Sequence, residues 1–246
     1  FISSAQFSEK KIYNIKKIKD PPKIDGKLDD NIWDNLDAAK NFSQISPNNG
    51  KSERKHQRTE AKICYDNKNI YFGVMMYDNA PDSILRELSK RDEENKNFDH
   101  FAIYIDPFNN NQVEYSFAVT SAGVQIDRKF SKMGVDQTWN AVWKSAININ
   151  ENGWSVEFSI PFSQLRFPND NKSWALNMER GIRRYREKYS WNPINNAYIN
   201  FGLQAGLLSG IEYINSPLRL SFMPYTSIYL NMYDGEYTSP YNYGID

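Results

Sequence analysis

The sequence has one cysteine, Cys64, and two histidines, His56 and His100, in 246 residues. A single cysteine excludes an internal disulfide and any thiolate-rich metal site. Neither histidine lies in a His-Glu-x-x-His context, and there is no Gly-x-Ser-x-Gly elbow or phosphate-cradling glycine loop. An excess of one charge is also missing. Lys and Arg number 30, and so do Asp and Glu, which removes the electrostatic argument for a nucleic-acid partner. No run is apolar for long enough to form a transmembrane helix.

What is abundant is aromatic side chains, at 15%, and short stretches of alternating polarity. Ala61, Ile63 and Tyr65 alternate, Asp66 to Asn69 turns, and Ile70, Phe72, Val74 and Met76 return on one face, which predicts a hairpin. Phe101, Ile103 and Ile105 form a further strand, ended by Asp106-Pro107 and Asn109 to Asn111. Val113, Tyr115, Phe117 and Val119 follow, then Val124, Ile126, Arg128 and Phe130 after the turn Ser121-Ala122-Gly123. Ala146 to Asn150 pairs through Glu151-Asn152-Gly153 with Trp154, Val156, Phe158 and Ile160, and Trp174, Leu176 and Met178 begin another strand. Many short half-polar strands predict an all-β, antiparallel β-sandwich of the immunoglobulin or jelly-roll kind. Two helices are predicted. One is a short helix capped by Asp29 or Asp30 that turns Ile32, Trp33 and Leu36 inward; the other runs from Asp82 to Arg91. Trp33, Trp154 and Trp174 are in phase with core positions, and Trp139 with Trp143 forms a turn packed on the sheet.

The two ends differ from this pattern. Phe1 to Gln6 reads as the tail of a secretory signal peptide cleaved after Ala5, or as a frayed native end. Residues 1–20 are thus a signal remnant and basic linker, and the protein is expected to be exported. At the other end, Leu218, Leu220 and Phe222, then Ile228, Leu230 and Met232, alternate with polar residues and tyrosines. This resembles the first strand of an outer-membrane β-barrel, with an edge strand of a soluble sandwich as the alternative. The expected division is a sandwich over 21–212 and the start of a C-terminal membrane barrel over 213–246, the chain being the front part of a longer protein.

The order of motifs resembles the family 9 carbohydrate-binding modules. Its carriers are Ile24-Asp-Gly-Lys-Leu-Asp-Asp-Asn-Ile-Trp33, Asn69 to Phe72 with Asp78, Asp99 to Asp106, Gly153 to Pro161 with Leu165, Trp174 to Asn177, and Trp191 before Phe201-Gly202. Leu165-Arg-Phe167, Arg180-Gly-Ile-Arg183, Glu187 with Trp191, and Met223-Pro-Tyr225 resemble a group of Gram-negative outer-membrane proteins, in which such a module precedes a large β-barrel. The resemblance implies a non-catalytic domain that binds a glycan or sugar end group by stacking on aromatic faces. It places the stacking residues at Phe98 and Trp191, with Gln125 and Arg128 as polar partners; packing under a loop is the alternative for the two aromatics. It also implies an acidic side chain where this chain has Ala102, and tryptophan where it has Phe98.

Other residues carry open readings. Modules of this family can hold calcium, and Asp78, Asn79 and Asp82 supply oxygen ligands in one loop, although Asp/Asn turns serve equally. Arg180, Arg183, Arg184, Arg186 and Lys188 read as an anion site or as a solvated face paired with Glu179 and Glu187. Glu114 and Glu157 fall on outward strand phases, as on a solvated β face, without the shared cleft that glycoside cleavage needs. The competing function is structural: a plug on the protein's own barrel, or a dock for envelope protein partners.

Overall fold

The computed structural model describes residues 9–136, 138–168, 173–198, 202–212 and 214. The expected signal remnant and barrel strand lie outside these residues. The strands, in chain order, are β1 (Ile12–Asn14), β2 (Lys16–Lys17), β3 (Ser43–Ser46), β4 (Thr59–Tyr65), β5 (Asn69–Tyr77), β6 (His100–Asp106) and β7 (Val113–Thr120). They continue as β8 (Gln125–Ser131), β9 (Gly134–Asp136), β10 (Lys144–Asn150), β11 (Gly153–Pro161), β12 (Ser173–Ile182), β13 (Glu187–Ser190) and β14 (Gly206–Ser209). One helix of four residues, α1 (Asn31–Asp34), precedes β3. Among the described residues no helix is long and apolar enough to cross a membrane.

Two sheets form. The larger runs β1-β14-β12-β6-β7-β8-β9, with β13 added to β12 and β3 to β13; the smaller runs β10-β11-β5-β4-β2. Pairing is antiparallel except for β1 with β14 and β2 with β4. Alternation puts one side of every long strand between the sheets. Phe72, Val74, Phe158 and Val156 from the smaller sheet meet Phe101, Ile103, Phe117, Leu176 and Met178 from the larger, all fully buried. The Trp143 ring stacks on Phe158 at 5.7 Å, and Trp139 packs on Tyr115 and Phe117, so the expected turn does lie on the sheet. The hairpin also forms as expected: the Asp66 carboxylate accepts the Lys68 and Asn69 N–H groups at 2.7 Å, which fixes the turn from β4 to β5.

The outer side of the smaller sheet is covered as well. Trp33, Leu36, Cys64 and Tyr71 make a second apolar cluster there, joined by Ile18, Ile24, Leu28 and Ile32. Trp33 is therefore buried as expected, but outside the main core: its indole lies over Gly73, where a Cβ would come within 2.9 Å of the ring. This covering layer corrects the reading of Glu157. Its outward phase is real, yet it is fully buried rather than solvated, because the segment from Ile24 to Trp33 folds over it. Its Oε2 accepts the N–H groups of Asp25 and Gly26, both at 2.8 Å, and its Oε1 accepts the Trp33 indole N–H at 2.9 Å. Burial raises the carboxyl above its ordinary range against the pull of those donors. Gly26 has φ +87°, and a Cβ there would meet the Ile147 backbone at 2.4 Å, so glycine is required.

The helix expected over Asp82–Arg91 does not form. A single 3₁₀ turn, Pro81–Ser83, gives way to extended backbone. The Glu87 N–H donates to the Asn97 carbonyl and the Asp99 N–H to the Leu85 carbonyl, at 2.9 and 2.8 Å. Ile84 is buried while Leu88 is exposed, so the sheet edge offers room for one apolar residue and not for a helical stripe. Nor does Asp30 cap α1; its carboxylate accepts the Lys23 N–H instead.

Glu157→Ala leaves three donors unpaired beneath the cover and is expected to cost on the order of 3–5 kcal/mol in urea unfolding. Glu157→Gln keeps an acceptor and should cost less. A loss below about 0.5 kcal/mol, the range of an ordinary surface change, would remove Glu157 from this role.

Candidate functional site

The outward phase of the larger sheet stays partly open. Register places Tyr104 between Asn177 and Ser116, Glu114 opposite Phe130, and Glu179 between Ala102 and Ser190. Tyr104, Glu114, Phe130, Asn177, Glu179 and Ser190 line a cleft of about 440 Å³, with Ile45 and Ile194 also on its wall. The Tyr104 and Phe130 rings stand 6.5 Å apart, inclined at 45°. Phe98 lies at the end of this face, packed on Ala102, Ala118 and Ile126 with Tyr104 beside it.

Three charged side chains line the cleft: Glu114, Glu179 and Lys188. Burial alone would raise the Glu179 carboxyl. The His100 ring at 3.0 Å and the Lys188 ammonium at 3.1 Å outweigh burial and hold it at about 2. Glu114 has no such help. It makes no hydrogen bond or ion pair with any described residue, and burial, reinforced by the charge of Asp106, pushes its carboxyl up to about 7. The Tyr104 hydroxyl rises well above 10, through burial and the nearby carboxylates, and so stays a neutral donor.

The residues expected to bind ligand are scattered. Phe98 and Trp191 are 5% and 3% exposed, which corrects their expected rim placement. Trp191 belongs to the core between the sheets, its ring held against the Gly206 backbone, and neither ring offers a free face for stacking. Gln125 is committed to a bridge: its oxygen accepts from Arg91 at 2.6 Å and its nitrogen donates to Ser145 Oγ at 2.9 Å. Arg128 does share the outward phase with Phe130, paired to Glu94 at 2.8 Å. The sequence reading missed Tyr104. It assigned Phe130 to a strand without a role, read Glu114 as solvated, and treated Glu179 only as a partner for basic residues. The signal was present: all four sit on the strand phase opposite the core residues.

The calcium reading fails on charge. Both Asp78 oxygens accept the Arg184 guanidinium at 2.7 Å, while Asn79 and Asp82 are exposed. No group of acidic, histidine or cysteine side chains among the described residues could hold a metal ion. Three of the five basic residues are committed within the chain, while Arg183 and Arg186 stay exposed. Arg180 is buried and donates to the carbonyls of Gln57 and Tyr77 at 2.7 and 2.9 Å; burial lowers its guanidinium to about 10. Arg184 is committed to Asp78 and Lys188 to Glu179, and Glu187 pairs with Arg54 at 2.5 Å.

Comparison with known families places this architecture. The model of the carbohydrate family 9 binding domain-like family matches residues 24–183. The chain belongs to that family. Among solved structures, a family 9 module from Caldicellulosiruptor kristjanssonii in complex with cellotriose is similar at 15% identity and TM-score 0.56, over 87% of this chain and all of the other. The same organism's module in complex with glucose matches at 16% identity and TM-score 0.56, over 82% of this chain and 97% of that one. A protein from Bacteroides uniformis matches at 15% identity and TM-score 0.60, over 82% and 99%. No curated protein matches. At these identities the solved structures speak for the family 9 fold alone, and that fold is the one typical of non-catalytic binding modules.

The two cleft carboxylates give opposite pH dependences. Glu114, raised from 4.5 to about 7, makes stability fall as pH rises through that window. Glu179, lowered from 4.5 to about 2, contributes stability above pH 4.5 that is lost as pH falls towards 2. Glu114→Gln is therefore expected to be more stable than the parent by about 1–2 kcal/mol at pH 8, with the gap closing near pH 5. Glu179→Gln should be less stable at pH 7, the gap shrinking below pH 4.5. Denaturant unfolding across pH 3–8 reads both; parallel curves for Glu114→Gln and the parent would refute the assignment.

Proposed function

We propose that this domain binds a sugar in the cleft over Tyr104 and Phe130 and does not act on it. The observation that carries the reading is the aromatic pair itself, half-buried beside Glu114 and Lys188 on the open side of a family 9 fold. One face of a pyranose is a row of C–H bonds that an aromatic ring covers, and flanking polar groups then select hydroxyls. Arg128 remains a polar partner at the edge of this surface. The relatives solved with cellotriose and glucose support the ligand class.

Glycoside cleavage is the weaker reading, although two carboxylates line the cleft. Strand register separates Glu114 and Glu179 by four residues along the strands and by two strand spacings across them. That is roughly 13 Å along and roughly 10 Å across, too wide for a pair that must flank one bond. Glu179 is also held by His100 and Lys188. The setting we propose is the exported envelope, with the module ahead of an outer-membrane barrel; the alternating tract over 217–233 supports it. A second reading, a docking domain for the barrel or an envelope protein, is favoured by the burial of Phe98 and Trp191.

A glycan array followed by calorimetry on the purified chain tests the sugar reading. Tyr104→Ala and Phe130→Ala are each expected to weaken binding at least about ten-fold, the scale of losing one aromatic contact. Silence across the array from a chain that unfolds cooperatively would favour docking.

A further inference from the structure

We infer that the cleft selects a sugar carrying a free ammonium group, which Glu114 receives between the rings of Tyr104 and Phe130. The inference rests on the sugar reading of this cleft and adds the charge of the ligand. Two other ionised side chains of the surface have counter-charges in place: Glu179 with Lys188 and His100, and Arg128 with Glu94. Asp106, on the neighbouring strand, is satisfied by the N–H groups of Phe108, Asn109, Asn110 and Asn111 at 2.7–3.1 Å. Glu114 alone has neither a cation nor a donor among the described residues, and it faces the cleft. A half-buried carboxylate facing the cleft is free to take a cationic partner from outside the chain.

The surroundings choose the partner's chemistry. Phe130 stands directly opposite Glu114 in the strand register, and Tyr104 lies across the adjacent strand, its ring 6.5 Å from that of Phe130. Aromatic faces attract cations, and more strongly where water is excluded. A carboxylate beside two such faces suits an ammonium better than a hydroxyl, and it rejects a carboxylate or sulfate outright. The raised carboxyl of Glu114 fits the same account: an arriving cation favours its ionised form, so binding near pH 7 releases a proton. The groups that share its field are Asp106 on β6, the Tyr104 hydroxyl, Arg128 on β8, Glu179 on β12 and Lys188 on β13, with Lys132 at the rim.

The test uses three sugars that differ at one position: glucosamine, glucose and N-acetylglucosamine, titrated into the full chain by calorimetry at pH 7 and low salt. Glucosamine is expected to bind about ten-fold more tightly than the other two, with the preference shrinking in high salt and falling to within about two-fold in Glu114→Gln. Phe130→Leu, which keeps the carboxylate and removes one ring, should lose part of the preference and guards against a folding defect in the first variant. Equal affinity for all three, or preference for glucose, overturns the ammonium inference and leaves the sugar reading standing. A preference that survives in folded Glu114→Gln overturns it too. Absence of binding by all three, and by the glycan array, overturns both.

Discussion

Glu157 holds the cover on the smaller sheet in place. One carboxylate on β11 accepts three N–H groups from the segment that runs from Asp25 to Trp33. Those bonds hold Ile24, Leu28 and Trp33 over Cys64 and Tyr71 on the outer side of the smaller sheet. The Ser155 hydroxyl adds a fourth tie, donating to the Gly26 carbonyl at 2.6 Å. A sandwich has two outer faces, and here one is covered in part by the segment from Ile24 to Trp33. The other, on the nine-stranded sheet, carries the cleft over Tyr104 and Phe130. The Ile-Asp-Gly…Trp signature is thus a closure device: a turn, a glycine without room for a Cβ, and an indole donor, all addressed to one buried acid.

The basic run after β12 does for the sheet edge what Glu157 does for the cover. Arg180 is 1% exposed and satisfies carbonyls of Gln57, Arg58 and Tyr77, where β4 and β5 leave the sandwich. Arg184 closes on Asp78, and Asp99 accepts the Arg183 N–H at 2.8 Å. A guanidinium can serve several carbonyls at once because its donors are fixed in a plane. Arg180, which looks like part of a binding patch in one dimension, is spent on backbone carbonyls in three.

The strands were legible because their alternation is strict and because turns such as Asp66 to Asn69 carry their own side-chain acceptors. Trp154 and Trp174 were legible for the same reason: phase with aliphatic neighbours means core. What alternation cannot tell is whether the opposite phase is solvated. Glu157 and Glu114 have the same sequence signature, an acid between apolar residues in a strand. One is sealed under a distant segment and the other stands in an open cleft, and only long-range packing separates them. Phe98 and Trp191 failed similarly. A loop-like local sequence predicts exposure, but Trp191 backs onto Gly206 and Phe98 onto two alanines, contacts that join residues far apart in the chain. The Asp82–Arg91 helix was lost to backbone pairing with residues 97–99, which helical periodicity does not see.

Ala102 and Phe98 are best understood together. The family resemblance implies an acidic residue on the strand where this chain has Ala102, and the Phe98 ring now lies over that alanine and over Ala118. A side chain longer than alanine at position 102 would meet the Phe98 ring. Among the described residues lining the cleft, the unpaired carboxylate is Glu114, on the next strand and four residues along from Ala118, the register partner of Ala102. That carboxylate stands beside a different pair of rings, Tyr104 and Phe130. In this chain the fold rests on the inward phase and the Glu157 closure. The ligand chemistry is free to differ because it resides in the outward phase, which neither of those constraints touches.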